Sequence, residues 1–300
     1  MKMQIKTKPW KNLAMIALVA VLALLTGCSS TQLGQLVEAG MLATGQDPES
    51  AAQARQAASS LSGALVPVDE ETERSLGSGV AVQAYSTIGK RHPNEALQRY
   101  VNLVGRTVAA NSDRPDLPYT FAVLENSTPN AFAGPGGYIF ITTGSLGVMK
   151  SEAELAGVLA HEVAHVSRKH ILRTYRRASM VGALQQSAAA MDANITQYTS
   201  LVDAASDTLF DKGLDQRFEY EADLVGTEIA AVTGYDPRGL LVFLSKLNKI
   251  SSAGGGWFKT HPPMTQRINR LNQFLTRELG GEKGIQQGER FQRTISAHLR

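Results

Sequence analysis

The chain of 300 residues contains a single cysteine, Cys28, and therefore cannot form an internal disulfide bond. It also lacks an apolar run long enough for a permanent membrane span, because LAMIALVAVLALL has only thirteen residues, from Leu13 to Leu25, and a spanning helix needs about 20. Charged residues make up 19% of the chain and hydrophobic residues 43%, which excludes bulk disorder and allows one sizeable core, or one core with a smaller appendage. The fold therefore depends on that core, with or without a bound metal.

The amino terminus has the pattern of a secretory signal. Four lysines and no acidic residue precede the short apolar run, and LTGCSS ends it. This ending resembles a bacterial lipobox, and the alternative is a chance cysteine beside a signal peptide. We expect residues 1–27 to be a signal peptide and Cys28 to be the lipidation site, whose acyl chains anchor the protein at about 0.8 kcal/mol per buried methylene. Ser29, in place of aspartate, resembles lipoproteins sorted to the outer membrane, which implies an anchor there on the periplasmic side.

The positive charge of the chain belongs mostly to this signal. The formal net charge is +3, from 30 basic and 27 acidic residues. Removal of residues 1–27 takes away four lysines and no acid, which leaves a formal charge of about −1. A nearly neutral mature protein gives no electrostatic basis for binding nucleic acid, so we expect no nucleic-acid partner.

The rest of the chain divides into three predicted parts. Residues 28–92 are rich in Ala, Gln, Ser and Gly, and we predict a lipidated N-terminus followed by a helical tether region that packs on the main domain. Residues 93–280 carry the sharper patterns and form the predicted principal domain. Residues 281–300 form a polar tail without a motif, and no internal repeat occurs.

Within the principal domain, hydrophobic periodicity predicts both helices and strands. PNEALQRYVNLVGRTVAANS has a helical apolar stripe, whereas YTFAVLEN and GGYIFITTGSL have the composition of strands. Capping and breaker signals place further helices that begin at Ser151, near Asp215, at Asp236 and after Pro263. The pattern predicts an α+β fold, mainly helical, with a small β-sheet beside the helix that begins at Ser151.

That helix carries LAGVLAHEVAHVSRKH, which contains His161, Glu162 and His165. Residues four apart project from one helix face, so the two imidazoles can bind one zinc ion. Glu162 lies about 100° round the helix from His161, where it can act as a general base towards a metal-bound water but not easily as a ligand. The alternative is a chance string, but two imidazoles on so apolar a helix would be costly without a partner.

A catalytic zinc needs one more protein ligand and an open position for water. RFEYEADLVG offers Glu219 and Asp223, which are four apart and share one helix face. We interpret Glu219 as the third ligand and Asp223 as the acceptor that orients the outer N–H of a histidine. Glu221 falls on the opposite side and is expected to face solvent. The alternative is an acidic helix start that complements the helix dipole.

HEVAHVSRKH, FEYEADLVG and HPPMTQRI, in this order, resemble the M48 family of zinc metallopeptidases, and in particular its soluble, lipid-anchored bacterial members. The resemblance covers about residues 93–280 and implies a zincin-type metallopeptidase domain. It implies that His161, His165 and Glu219 bind one Zn²⁺ ion per chain. It also implies that Glu162 is the catalytic glutamate.

The same resemblance points to further residues. It places His261 near the metal as a catalytic residue that stabilises the oxyanion or, in some members, fills the open zinc position; the alternative is a cap of the next helix. Arg267 matches a family arginine, with a solvated or salt-bridged role as the alternative. We predict that His170 is not a ligand, because the helical rise alone separates it from His165 by more than about 7 Å.

PNAFAGPGGYIFITTGSL is the candidate for substrate binding. A sheet edge beside the metal can accept an extended peptide as an added strand, and its main-chain pairing makes little demand on sequence. We assign this role either to Asn130, Ala131, Phe132 and Ala133 or to the strand at 138–143. The alternative is an ordinary core hairpin.

These features predict a zinc-dependent endopeptidase in which Glu162 activates a zinc-bound water. We expect polypeptide substrates, mainly misfolded or misassembled envelope proteins, and envelope proteins as possible partners. One alternative is a chaperone-like or binding lipoprotein whose zinc site is blocked by His261 and which cleaves little. The others are a structural lipoprotein without metal and, less favoured, a cell-wall amidase.

Overall fold

A computed structural model describes residues 30–43, 45–55, 68–174, 194–250, 257–261, 264–281 and 283–299. The predicted signal peptide and Cys28 lie outside the described residues. The chain divides into two compact units, one formed by Met1–Pro67 with Arg173–Ala193 and the other by Val68–Leu172 with Asn194–Arg300. Among the helices that the structure describes, none has both the length and the apolar character needed to cross a bilayer.

The first unit contains helix α1, Ser30–Ala43. Val37 and Met41, four residues apart on this helix, are buried. An ion pair of 3.4 Å joins Glu38 of α1 to Arg55.

The second unit is mainly helical with a small sheet, which confirms the predicted α+β class. Its helices are α2 Glu70–Thr87, α3 Glu95–Ala109, α4 Thr143–Val148, α5 Glu152–Ser167, α6 Asn194–Asp207, α7 Gln216–Val232, α8 Gly239–Ile250, α9 Trp257–Thr260, α10 Met264–Arg277 and α11 Gly288–His298. Its strands are β1 Thr120–Leu124, β2 Ala131–Gly134 and β3 Tyr138–Thr142. A π-helical turn, Thr208–Lys212, follows α6.

The three strands pair in the order β1-β3-β2. β1 runs parallel to β3, and β2 runs antiparallel to it with Phe132 opposite Phe140. The two predicted strands correspond to β1 and β3, and β2 overlaps the segment 130–133 that we assigned as a candidate substrate edge. Because β3 lies in the centre, the sheet has two edges, β1 and β2.

Side chains of α3 cover the edge formed by β1. The Gln98 amide accepts a hydrogen bond of 2.9 Å from the Val123 N–H and donates one of 3.0 Å to the Val123 carbonyl. One turn later, the Asn102 amide pairs in the same way with the N–H and carbonyl of Phe121. These two amides replace the main-chain partners of a further strand, so β1 is closed to strand addition.

Helix α5 is buried along its whole length and packs against α3, α7, α8 and β2. It begins at the predicted capping position, where the Ser151 hydroxyl accepts a hydrogen bond of 3.3 Å from the Glu154 N–H. Apolar residues on all sides of the helix explain its central position, since a helix that is hydrophobic all round is stable only in a core.

Hydrogen-bonded ion pairs hold both ends of the second unit against the rest of it. Arg114 donates a hydrogen bond of 2.9 Å to the buried Glu73 of α2. Arg290 of α11 donates one of 2.8 Å to the buried Glu152 at the start of α5. Helix α2 of the predicted tether region and helix α11 of the predicted tail thus lie in the same compact unit as α5.

Candidate metal centre

Helix α5 presents His161 and His165 one turn apart on one face. Both imidazoles are buried, and their Nε2 atoms lie 3.1 Å from each other. Two ring nitrogens at this distance can share only one proton between them, so they cannot both act as donors to each other. The pair is therefore suited to a shared cation.

Helix α7 brings the buried carboxylate of Glu219 to the same point. Its Oε2 lies 3.6 Å from His161 Nε2, and its Oε1 lies 3.4 Å from His165 Nε2. The helices approach this closely because residue 226 is a glycine: a Cβ on Gly226 would lie 2.7 Å from the Cα of His161. The structure thus brings together the three side chains that the sequence assigned as ligands.

These three side chains fit a zinc ion. Ligand atoms that share a tetrahedral zinc at about 2.0–2.1 Å stand about 3.3–3.4 Å apart. The two Nε2 atoms are 3.1 Å apart, His165 Nε2 is 3.4 Å from Glu219 Oε1, and His161 Nε2 is 3.6 Å from Glu219 Oε2. Glu219 Oε1 is also buried without a hydrogen-bond partner among the described residues, as expected of an oxygen that binds a cation.

His261 completes a group of four possible ligands whose donor atoms lie within 4.8 Å of one another. Its Nδ1 lies 2.8 Å from Glu219 Oε2, and its Nε2 lies 3.1 Å from the carbonyl oxygen of Ala131. Both ring nitrogens therefore face oxygen atoms. The ring bridges the candidate ligand Glu219 and the edge strand β2.

Asp223 and Arg267 lie behind these ligands. Asp223 Oδ1 lies 3.1 Å from His161 Nδ1. The buried guanidinium of Arg267 donates to both carboxylate oxygens of Asp223, at 2.6 and 2.8 Å, and its Nη1 lies 3.1 Å from Glu219 Oε2. Of the alternatives for Arg267, the structure therefore shows the salt-bridged one.

This network shifts the protonation of its members. Burial lowers the pKa of His161, but hydrogen bonds to Asp223 and Glu219 outweigh burial and raise that pKa to about 9. Burial holds the pKa of His165 well below its usual value. Burial opposes ionisation of Glu219, but its electrostatic interactions with His261 and Arg267 outweigh burial and keep its pKa well below the usual range. An ionised Glu219 and a neutral His165 are the protonation states that metal binding requires, whereas His161, with its raised pKa, must release a proton when a metal binds.

Glu162 lies beside this group and not within it. Its side chain is buried, and its Oε1 has no hydrogen-bond partner among the described residues. The Nε2 atom of His261 lies 3.9 Å from that oxygen. Burial raises the pKa of Glu162. A carboxyl group with a raised pKa holds a proton more readily than an ordinary carboxyl group, which suits it to taking up and returning one.

Strand β2 forms one wall of the site. The Thr142 N–H donates a hydrogen bond of 3.0 Å to the Asn130 carbonyl, so the alternation of an antiparallel ladder turns the main-chain groups of Ala131 and Ala133 away from β3. A cavity on that side is lined by residues that include Phe132, Ala133, Glu162, His165, Leu209 and His261. The other candidate edge, the strand at 138–143, corresponds to the central strand β3, whose two sides are already paired.

Sequence reasoning did not identify Trp257. Its buried ring stacks on His261, with ring centroids 4.4 Å apart and an interplanar angle of 27°. The backbone N–H of Trp257 donates a hydrogen bond of 3.0 Å to the carbonyl of Pro129, next to β2. Trp257 thus fixes the position of His261 relative to the edge strand. The sequence signal was a tryptophan four residues before a candidate site histidine.

His170 is not in the group of possible ligands, but it contacts one of them. Its Nδ1 lies 2.9 Å from His165 Nδ1. Helix α5 ends at Ser167 and Lys169 adopts a φ of 53°, so the rise of a straight helix does not apply to His170. Glu221, which we expected to face solvent, is only 32% exposed and lies 3.3 Å from His170 Nε2.

Comparisons with known proteins agree with this site. The model of peptidase family M48 matches residues 95–275, more than half of the chain. The chain is 30% identical over 194 residues to the beta-barrel assembly-enhancing protease of Escherichia coli strain K12, which covers 59% of this chain and 39% of that protein. The Yersinia pestis protein of the same name is 28% identical over 194 residues, 59% of this chain and 40% of that protein.

A mitochondrial relative is also similar. The mitochondrial metalloendopeptidase OMA1 of Schizosaccharomyces pombe is 30% identical over 183 residues, which is 59% of this chain and 52% of that protein. The chain spans about two fifths of the length of the bacterial relatives and about half of this one. The match to the family model extends from α3 to α10 and includes all three motifs of the site. We conclude that the chain belongs to peptidase family M48, a family of zinc metallopeptidases.

Proposed function

We propose that this chain is a zinc-dependent endopeptidase in which His161, His165 and Glu219 hold the metal. The observation that carries the proposal is the set of three buried side chains, whose nitrogen and oxygen atoms approach one another to 3.1–3.6 Å, beside a buried glutamate outside the set. Zinc, when bound, lowers the pKa of a coordinated water towards ~7 and polarises a carbonyl group. Membership of family M48 supports this chemistry.

Glu162 is the proposed general base. Its Oε1 accepts the proton of the attacking water and passes it to the leaving amine. Two features support this role: the oxygen has no hydrogen-bond partner among the described residues, and burial raises the carboxyl pKa. A group that holds a proton between two steps needs such an intermediate affinity for it.

His261 is the proposed oxyanion donor. Its Nε2 lies between the Ala131 carbonyl, at 3.1 Å, and Glu162 Oε1, at 3.9 Å. A peptide aligned along β2 would place its scissile carbonyl near that nitrogen, and an N–H there stabilises the negative charge that develops on the carbonyl oxygen. Trp257, stacked on the ring, holds it in place.

Asp223 is the proposed partner of the outer nitrogen of His161. When a bound metal displaces the proton of Nε2, the carboxylate 3.1 Å from Nδ1 would keep the remaining ring proton on Nδ1, so that the Nε2 lone pair is available to the metal. Arg267 offsets the charges of Asp223 and Glu219, which would otherwise repel each other in a buried site.

The proposed substrate site is the edge of β2. Ala133 offers its main-chain groups on the side of the cavity. The N–H of Ala131 already donates to Asn130 Oδ1, and its carbonyl faces His261 Nε2. Gln98 and Asn102 occupy the edge of β1. Strand addition to β2 recognises an extended backbone without much demand on side chains. Unfolded polypeptides present such a backbone and native domains do not.

We propose unfolded or misassembled envelope proteins as the substrates. The bacterial relatives are named for enhancing β-barrel assembly, and β-barrels of this kind are characteristic of outer membranes. The proposed location follows the sequence: residues 1–27 direct export, and a lipid on Cys28 anchors the protein to the outer membrane on its periplasmic side. Other envelope proteins are proposed partners.

The alternative of a chaperone-like lipoprotein with a blocked zinc site finds no support in the comparisons. The relatives carry the names of proteases. In the site itself, His261 Nδ1 lies at a hydrogen-bond distance, 2.8 Å, from the carboxylate of Glu219. We therefore assign His261 to catalysis.

The test is digestion of casein by the wild type and by Glu162→Gln, with and without a chelator. We expect zinc-dependent cleavage by the wild type and a loss of at least about 100-fold in Glu162→Gln, with the zinc content unchanged. Glu154→Gln is the matched control, because Glu154 is buried on the same helix, lies outside the ligand group and glutamine also suits its capping position.

Two outcomes would contradict the proposal. Cleavage by Glu162→Gln at the wild-type rate would remove Glu162 as the base. Loss of zinc from the same variant would mean that Glu162 is a ligand and not a base.

A further inference from the structure

The outer nitrogen of His165 has a partner that neither the motifs nor the proposed reaction uses. His165 directs Nε2 towards His161 and Glu219, and its Nδ1 lies 2.9 Å from Nδ1 of His170. The His170 side chain is fully buried. A buried imidazole against a candidate ligand is costly unless both of its nitrogens have suitable neighbours.

Helix α7 supplies the second neighbour. Glu221 Oε2 lies 3.3 Å from His170 Nε2, on the side of the ring opposite His165. Phe218 of the same helix stacks on His170, with centroids 4.6 Å apart and an interplanar angle of 17°. The stacking fixes the plane of the ring, and the carboxylate fixes its charge environment.

These contacts allow only one arrangement of hydrogens when His165 binds a metal through Nε2. A neutral imidazole has one N–H, so the proton of His165 must then be on Nδ1, where it is donated to His170. His170 must accept at Nδ1 and therefore carries its own proton on Nε2, towards Glu221. Each nitrogen in the chain from ligand to carboxylate has one defined role.

The two histidine ligands are thus supported differently. His161 has a carboxylate, Asp223, 3.1 Å from its outer nitrogen. His165 reaches its carboxylate, Glu221, through the ring of His170. The left-handed residue Lys169, with a φ of 53°, makes this possible because it turns the chain back after α5 and brings His170 beside His165.

We propose that His170 and Glu221 are positioning residues that hold His165 in the orientation and tautomer required for binding zinc. This inference rests on the proposed metal centre. His170 does not touch substrate or metal in this role, and acts only through His165. Removing it should therefore weaken metal retention even where the fold is intact.

The test measures zinc affinity by competition with a chromophoric chelator in His170→Phe. Phenylalanine preserves the stacking on Phe218 but removes the acceptor for His165, and we expect zinc to bind about 10- to 100-fold more weakly. His170→Gln, whose amide oxygen can accept the same proton, should recover part of the affinity. Glu221→Ala should cost less than about tenfold, because that carboxylate is partly exposed and water can replace it.

His92→Phe is the matched control. His92 is also buried and its Nδ1 accepts a hydrogen bond of 3.2 Å from the Asn94 N–H, but it lies outside the ligand group. This variant should bind zinc as the wild type does. Thermal unfolding of each metal-free variant separates a loss of folding from a loss of metal.

The second readout is the tautomer of both rings, observed through ¹⁵N chemical shifts of the imidazole nitrogens in the zinc-loaded protein. We expect the proton on Nδ1 of His165 and on Nε2 of His170. Wild-type zinc affinity in folded His170→Phe, or the opposite tautomer of His170, would overturn the inference and leave the metal centre standing. The proposed function would instead be overturned if the wild type bound no zinc, or if Glu219→Gln bound zinc as tightly as the wild type does.

Discussion

Gly226 of α7 lies so close to His161 of α5 that a Cβ on the glycine would meet the histidine Cα at 2.7 Å and its backbone nitrogen at the same distance. The contact is between backbones, so no side-chain movement can relieve it. It sets the distance at which α7 presents Glu219 to the two imidazoles. The metal centre therefore depends on a residue that binds nothing.

Gly226→Ala should separate the two helices. We expect a loss of about 1–3 kcal/mol in the free energy of unfolding, together with weaker zinc binding, because the carboxylate moves away from the histidines. Urea denaturation and chelator competition measure the two effects. Gly147→Ala is the control: a Cβ on Gly147 of α4 meets nothing within 4 Å, and alanine there should be neutral or stabilising by about 0.4–1 kcal/mol.

Arg267→Met should destabilise the metal-free protein. Asp223 and Glu219 are both buried and would lose the guanidinium that faces them, at an expected cost of about 3–5 kcal/mol. Zinc should restore part of the loss, since it neutralises Glu219, and calorimetry with and without zinc measures this. Arg270→Met on the same helix, where an exposed arginine lies 4.2 Å over the ring of Tyr220, should cost less than about 1 kcal/mol. Equal effects of the two variants would contradict the proposed charge balance.

Glu152 should make the protein sensitive to acid. Burial alone would raise its pKa, but hydrogen bonds from Arg290, Tyr100 and Tyr235 outweigh burial and lower it. A carboxyl group with a lowered pKa in the folded state contributes stability above its unfolded pKa of about 4.3, and this contribution disappears as the pH falls through the folded value. The urea midpoint of the metal-free wild type should therefore fall more steeply between about pH 5 and pH 3 than that of Glu152→Gln.

In Glu152→Gln, part of this stability is already absent at neutral pH. Its urea midpoint should therefore be lower than that of the wild type at neutral pH and should fall less as the pH decreases. Glu228→Gln, at an exposed position of α7, should show the same pH dependence of the urea midpoint as the wild type. Parallel curves for the wild type and Glu152→Gln would show that Glu152 has no lowered pKa.

Ala133→Pro should impair substrate binding and spare the metal. Proline removes the N–H that Ala133 offers on the open side of β2, and one lost main-chain hydrogen bond to the peptide corresponds to about a tenfold drop in kcat/KM. The zinc content should not change. Ala133→Ser keeps the N–H and serves as the control; an unchanged kcat/KM in the proline variant would remove β2 as the peptide-binding edge.

The sequence alone determined the features that local geometry controls. A spacing of four residues places His161 and His165 on one helix face whatever surrounds them, because the period of a helix is about 3.6 residues. The same rule selected Glu219 and Asp223 as a pair on α7. Capping chemistry placed the start of α5 at Ser151, since that signal also acts within one turn.

Only the tertiary structure decided which of these side chains contact one another and which edge strand of the sheet, β1 or β2, stays open. Arg267 pairs with Asp223 and Glu219, and His170 supports His165, because separate segments pack against one another and one residue, Lys169, leaves the helical conformation. Such contacts join residues far apart in the chain, and periodicity carries no information about them. The distances between these side chains depend on how closely the backbones of two packed segments can approach each other. That approach depends on the shapes of both packed segments together.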